Sequence, residues 1–163
     1  MNEEKEILDE VQSQISSFDN KASILLSVVG IIFALTLSIL DVFHSNYFQS
    51  ENIGFKVCYI IAFMSYIVVT VFLIICLLLV ILPRPNKSSQ KYPNYFNDIN
   101  NMTKEELNDA IKNYKKDSVL ILDQIKINSS ICARKQKWLK VGMVFLIPFI
   151  VLMVLMIFMT IFA

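Results

Sequence analysis

The sequence is short of the residues from which enzyme sites are built. It has one histidine, His44, which follows an apolar run and has no metal-binding partner near it in the chain. It has three cysteines: Cys58 and Cys76 sit inside one apolar run, and Cys132 lies in a polar stretch. None has metal-ligand spacing or a neighbouring His. They read as small core or lipid-facing residues, and an odd count without a framework suits a reduced compartment. With three glycines in the chain there is no Gly-rich phosphate loop, and no Ser/His/Asp set is visible. These absences argue against catalysis and against a resident metal or cofactor. A net charge of +1 provides no overall field for nucleic acid.

Charge is the second scarcity. Charged residues make up 18% of the chain and apolar ones 55%, which is not the composition of a soluble domain. Ala22 to Leu40, Val57 to Leu82 and Val141 to Ala163 hold no charged residue at all. A spanning helix needs about 20 apolar residues, and each charge at its centre costs roughly 3 kcal/mol. The sequence therefore predicts an all-α membrane protein with spans at residues 22–43, 57–82 and 141–163, in contact with a lipid bilayer. No span carries the ionisable residue that a proton-coupled transporter needs. The first twenty residues are acidic, unlike the basic start of a signal peptide, so the first span is expected to be retained.

The basic residues set the orientation. Residues 83–140 hold most of the Lys and Arg, whereas the loop from Asp41 to Lys56 holds only Lys56. The positive-inside rule places 83–140 in the cytoplasm, the N-terminus with it, and the C-terminus at the far face. The expected order is a cytoplasmic helix at 1–21, an external loop at 44–56, a cytoplasmic linker at 83–102 and a cytoplasmic helix at 103–140. Trp138, Lys137 and Lys140 mark the inner interface; Tyr47, Phe48 and Tyr59 suit the outer one.

Both arms have helical patterning. Ile7, Val11, Ile15 and Phe18 recur every three or four residues and lead into Ala22 and Leu25. Thr103 and Glu106 form a capping-box pattern. After it, Leu107, Ile111, Tyr114, Ser118, Ile121, Ile125, Asn128 and Cys132 make a heptad-like stripe. No Gly or Pro separates either arm from its span, so the first and third spans are expected to extend into a cytoplasmic helical stalk. The second arm would project roughly 50 Å at 1.5 Å per residue. The N-terminal arm is acidic and the second basic, and both enter the membrane from one side. They should run parallel, with Asp9 and Glu10 near the level of Lys126, as a two-helix or oligomeric stalk.

Two further features invite function. At the inner boundary Asp19, Asn20 and Lys21 precede the first span, Arg134, Lys135 and Lys137 precede the third, and Arg84 follows the second. This pattern reads as interface anchoring, or as an anion site in which cationic groups grip a phosphate. Tyr92, Tyr95 and Tyr114 are candidates for stacking on a base. On the first span, Ser23, Ser27, Gly30, Ala34 and Ser38 form a small-residue stripe, suited to close helix packing or to a pore-facing surface. Cys58, Ala62, Ser65 and Cys76 make a weaker counterpart on the second, and Pro148 is expected to kink the third.

The entry into the first span, Phe18-Asp19-Asn20-Lys21-Ala22-Ser23-Ile24-Leu25-Leu26, resembles that of the membrane effectors of bacterial Pycsar anti-phage systems, and more loosely the SLATT-type effectors. Leu82-Pro83-Arg84-Pro85 at the end of the second span and Ile131-Cys132-Ala133-Arg134-Lys135 before the third fit the same layout. The motifs are short, but the likeness covers nearly the whole chain. Asn20 and Ser23 occupy variable positions, and Arg84 lies between two prolines. The resemblance implies an effector that responds to a cyclic pyrimidine mononucleotide (cUMP or cCMP) made by a partner cyclase. It then impairs the inner membrane, and the infected cell dies or stops growing. The amphipathic, oppositely charged arms add the expectation of a homo-oligomer. Asp19, Lys21, Arg84, Arg134 and Lys135 match the patterned positions, which implies a part in sensing or transmitting the signal. The residues themselves also admit a non-gated membrane scaffold or accessory subunit that binds a cytosolic partner through its stalk.

Overall fold

A computed structural model of the chain describes residues 2–49, 53–82, 99–114 and 118–161. Among them run four α-helices and no strand: α1 (Asn2–Gln49), α2 (Ile53–Ile81), α3 (Lys104–Tyr114) and α4 (Ser118–Ile161). Three are long and apolar enough to span a bilayer, within Glu3–Ile39, Ile53–Ile81 and Ile121–Met159. The protein is an all-α membrane protein with three spans, the first and third of which are extended by polar helix.

The helix ends follow from what can stop a helix. α1 has no proline and a single glycine over 48 residues, so nothing breaks it between the acidic arm and the span. It is about 72 Å long at 1.5 Å per residue, more than twice the roughly 30 Å of a hydrocarbon core. Residues 44–56, expected as an external loop, are helical up to Gln49 and again from Ile53; residues 50–52 lie outside the described ones. α3 opens on the capping box: the Thr103 N–H donates to Glu106 Oε2 at 3.0 Å, and the Glu106 N–H to Thr103 Oγ1 at 3.3 Å. The helix expected to run unbroken from Lys104 into the third span is described as α3 and α4. Residues 115–117 between them, and the linker 83–98, lie outside the described residues. α4 is helical through Pro148, whose ring nitrogen cannot donate to the carbonyl one turn earlier.

The chain forms two compact units, Met1–Ser16 with Pro83–Ala133, and Ser17–Leu82 with Arg134–Ala163. In the first, Leu8 and Ile121 are buried, and the Cys132 thiol donates to Gln14 Oε1 at 3.7 Å.

The second unit holds a three-helix core of Ala22 and Val29 from α1, Tyr66, Leu73, Leu77 and Val80 from α2, and Leu139 and Phe149 from α4. α1 and α4 run parallel, and α2 runs antiparallel to both. Phe72 of α2 meets Phe145 of α4 with ring centroids 4.4 Å apart, and further back along α2 Tyr66 stacks on Phe149 at 5.4 Å. Many of the buried positions recur every seven residues. They are Ala22, Val29 and Thr36 on α1; Tyr66, Leu73 and Val80 on α2, with Thr70 and Leu77 between; and Gly142, Phe149 and Met156 on α4. A seven-residue seam is the signature of left-handed helix packing.

Two points on this seam are close or polar. At Gly142, a Cβ would meet Leu77 Cδ2 at 3.3 Å and Cys76 Cβ at 3.8 Å, so α4 approaches α2 closely here. Tyr66 is fully buried, and its hydroxyl donates to Thr36 Oγ1 at 3.1 Å. Thr36 in turn donates to the Ile32 carbonyl at 2.8 Å, and Thr70 to the Tyr66 carbonyl at 2.7 Å. Each of these three buried hydroxyls thereby has a hydrogen bond, as hydrocarbon surroundings demand.

In detergent, Gly142→Leu should lower the thermal midpoint by the roughly 1–3 kcal/mol of an overpacked contact. Gly30→Leu should leave the midpoint of the monomeric protein unchanged, because nothing lies within 4 Å of a Cβ there. Tyr66→Phe should cost about 0.6 kcal/mol, the average for a polar contact inside a membrane protein. Circular-dichroism melts of the three variants check all three outcomes.

Candidate functional site at the entry to the spans

The seam brings charge inward at one level. Counting back along α4 from Gly142, the next position seven residues away is Lys135. A lysine on a packing seam needs a partner, because an unpaired cation there loses its hydration without compensation. Asp19, less than one turn ahead of the buried Ala22 on α1, supplies it: Lys135 Nζ donates to Asp19 Oδ1. The lysine side chain is 12% exposed and the aspartate 35%, so the pair is partly shielded from solvent. A polar group at one seam position fixes the register of two helices at some expense in stability. Here it fixes α1 against α4 at the base of the spans.

Five residues were expected to sense or transmit a signal here. Asp19 and Lys135 are brought into contact. Lys21 is not part of the pair: its Nζ lies 5.9 Å over the Phe18 ring, and its side chain lines a groove between α1 and α4. Arg134 and Lys137 are exposed. Arg84 lies outside the described residues, as do Tyr92 and Tyr95 and the side chain of Tyr114. Several basic groups and one carboxylate were expected at one depth, and the structure sets that carboxylate, Asp19, against Lys135. Lys135 already has one anion, so a second would share its ammonium group with Asp19.

The small-residue stripe faces away from the core. Ser23, Ser27, Gly30, Ala34 and Ser38 are all exposed in the protomer. Ser27 donates to the Ser23 carbonyl and Ser38 to the Ala34 carbonyl, both at 3.0 Å. These hydroxyls are satisfied by their own helix and need no water. Close helix contact inside the protomer falls instead on Gly142. The three cysteines are free: Cys58 exposed, Cys76 buried and Cys132 half-buried. Among the described residues no cluster of His, Cys, Asp and Glu could hold a metal ion.

Sequence reasoning passed over Thr36, Tyr66 and Thr70. Their signal was present: hydroxyls inside otherwise apolar runs are costly in lipid and face a neighbouring helix. It also passed over Gln136 and Lys140 as groove residues, since nothing in the linear order shows which side of α4 meets α1.

Asp19→Ala strands Lys135 on the seam and should destabilise the helix pair by about 1.5–3 kcal/mol, the range for a hydrogen bond to a charged group. Lys135→Ala should cost about the same. The exchanged pair Asp19→Lys with Lys135→Asp should recover most of the loss. A double-mutant cycle on thermal midpoints reads the coupling, and strictly additive effects would show the pair to be unimportant.

The sequence profile described as the Pycsar effector protein domain matches residues 3–162. No curated protein matches the chain, and no solved structure does. The match takes in both arms, all three spans and the boundary where Asp19 meets Lys135, and the chain therefore belongs to the Pycsar effector transmembrane family, the membrane effectors of an anti-phage defence.

Proposed function

We propose that the protein is a ligand-gated effector that senses a cyclic pyrimidine mononucleotide, cUMP or cCMP, from a partner cyclase and impairs the inner membrane as a homo-oligomer. The observation that carries this reading is the outward position of Ser23, Ser27, Gly30, Ala34 and Ser38. A stripe unused within the protomer is free to pack against other copies or to line a passage between them. The N-terminus and the basic arm face the cytoplasm in this reading, where the nucleotide is made.

Gating requires the ligand to favour one arrangement over another. A shift from about 1% to 99% active needs roughly 10⁴-fold tighter binding to the active state. The Asp19–Lys135 pair supports such a difference. The nucleotide phosphate competes with Asp19 for Lys135, with exposed Arg134 beside it, and losing the pair releases the register of α1 on α4. Rotation or sliding of α1 then moves the small-residue stripe, which lies on the same helix. Arg84 and Lys21 are proposed to add to the field that attracts the anion.

Liposomes loaded with self-quenched dye test this. The purified protein should release dye on addition of cUMP or cCMP and not of a purine cyclic mononucleotide. Asp19→Asn should leak at lower nucleotide concentration, because Lys135 is no longer held. Gly30→Leu should bind nucleotide but leak at least tenfold less. Absence of leakage at saturating cUMP and cCMP would sink the gated reading. If, in addition, charge reversal at Arg134 and Lys135 left toxicity in cells unchanged, the scaffold reading would replace it.

A further inference from the structure

A groove of about 490 Å³ lies between α1 and α4 just beyond the Asp19–Lys135 pair. It is lined by Phe18, Ile24 and Leu25 from α1 and by Leu139 and Met143 from α4. Lys21, Gln136 and Lys140 complete its lining. Its volume falls within the roughly 300–1,000 Å³ of ligand pockets, and its lining is almost entirely apolar apart from those three side chains. The only carboxylate at this level of α1, Asp19, is taken by Lys135. Among the described residues neither Lys21 nor Lys140 is paired with an acid. The groove thus offers a largely apolar slot with two cations in its lining, neither paired with a carboxylate among the described residues, where a helix enters the membrane.

We propose that this groove binds an anionic phospholipid of the leaflet on the side of the basic arm. The headgroup phosphate lies between Lys21 and Lys140 and accepts from the Gln136 amide, and one acyl chain runs along Ile24, Leu25, Leu139 and Met143. A soluble anion satisfies the lysines but leaves the apolar wall bare, and a zwitterionic lipid covers the wall but supplies no net charge. A second copy fits less well. A twofold contact through this face sets the lysines of one protomer against those of the other. The proposal does not rest on nucleotide gating.

Native mass spectrometry of the full chain in detergent tests it, with phosphatidylglycerol and phosphatidylcholine as probes. A lysine near an anionic lipid contributes roughly fivefold in affinity. Phosphatidylglycerol should be retained in preference to phosphatidylcholine. Lys140→Gln should weaken it about fivefold, and Lys21→Gln with Lys140→Gln about thirtyfold. Lys140→Arg should bind as the parent protein does, and Met143→Trp should weaken binding by filling the slot. Lys137→Gln, exposed but off the groove, should change nothing. Thermal midpoints of each variant separate lost binding from lost fold, and the Lys140→Arg and Lys137→Gln pair reads the site without disturbing the helices. Equal retention of the two lipids overturns the proposal, as does an equal loss in Lys137→Gln and Lys140→Gln. Displacement by the deacylated headgroup, glycerophosphoglycerol, at lipid-like concentrations assigns the site to a soluble anion instead. Oxidative dimers of Met143→Cys, above those of the parent protein in membranes, assign the groove to a second copy.

Discussion

Helices inside a bilayer gain little by hiding apolar surface from lipid, because acyl chains are as apolar as leucine. What holds them together is close contact and a few satisfied polar groups, and the second unit of this protein is built on that constraint. Its seam repeats every seven residues on all three helices, so that Ala22, Val29 and Thr36 meet Tyr66, Leu73 and Val80, and Gly142 lets α4 come within van der Waals reach of Leu77. The Tyr66 hydroxyl and Thr36 add direction to a surface that otherwise has only shape.

The ion pair at the base of the spans depends on the same seam. Lys135 occupies a position where the repeat calls for an inward side chain, and Asp19 makes that position tolerable. Such a contact contributes less to stability than to register, because desolvation takes back much of the attraction. A register held by one displaceable anion suits a protein whose α1 runs as one helix from the acidic arm into the span.

The outer face of the core divides between two kinds of surface. On α1, the stripe from Ser23 to Ser38 is small, the Ser27 and Ser38 hydroxyls are already bonded to their own helix, and these two can meet another helix without stranding a donor. The groove lined in part by Lys21 and Lys140 has bulkier, partly charged walls, and it favours an amphiphile over a second helix. Two faces of one helix can therefore meet different partners at the same depth.

The sequence by itself determined the spans, their number and the polar extensions. A run of about 20 uncharged residues has no stable place in water, and an arm with neither Gly nor Pro has nothing to end its helix. It also placed the Thr103–Glu106 cap, since that motif is closed within one turn. It pointed to Asp19 and Lys135 separately, through their motifs, but could not join them. The seam that joins them was read only as far as Cys132, because within the spans the lipid-facing residues are as apolar as the buried ones and the period disappears from view. Tertiary structure decided which face of each span is inside. It set the small residues of α1 outward, gave the close approach to Gly142, and made a groove of Lys21, Gln136 and Lys140. Hydropathy measures transfer from water to lipid, and that quantity is nearly the same for the buried and the lipid-facing apolar residues of a span; only the shape of the neighbouring helix tells them apart.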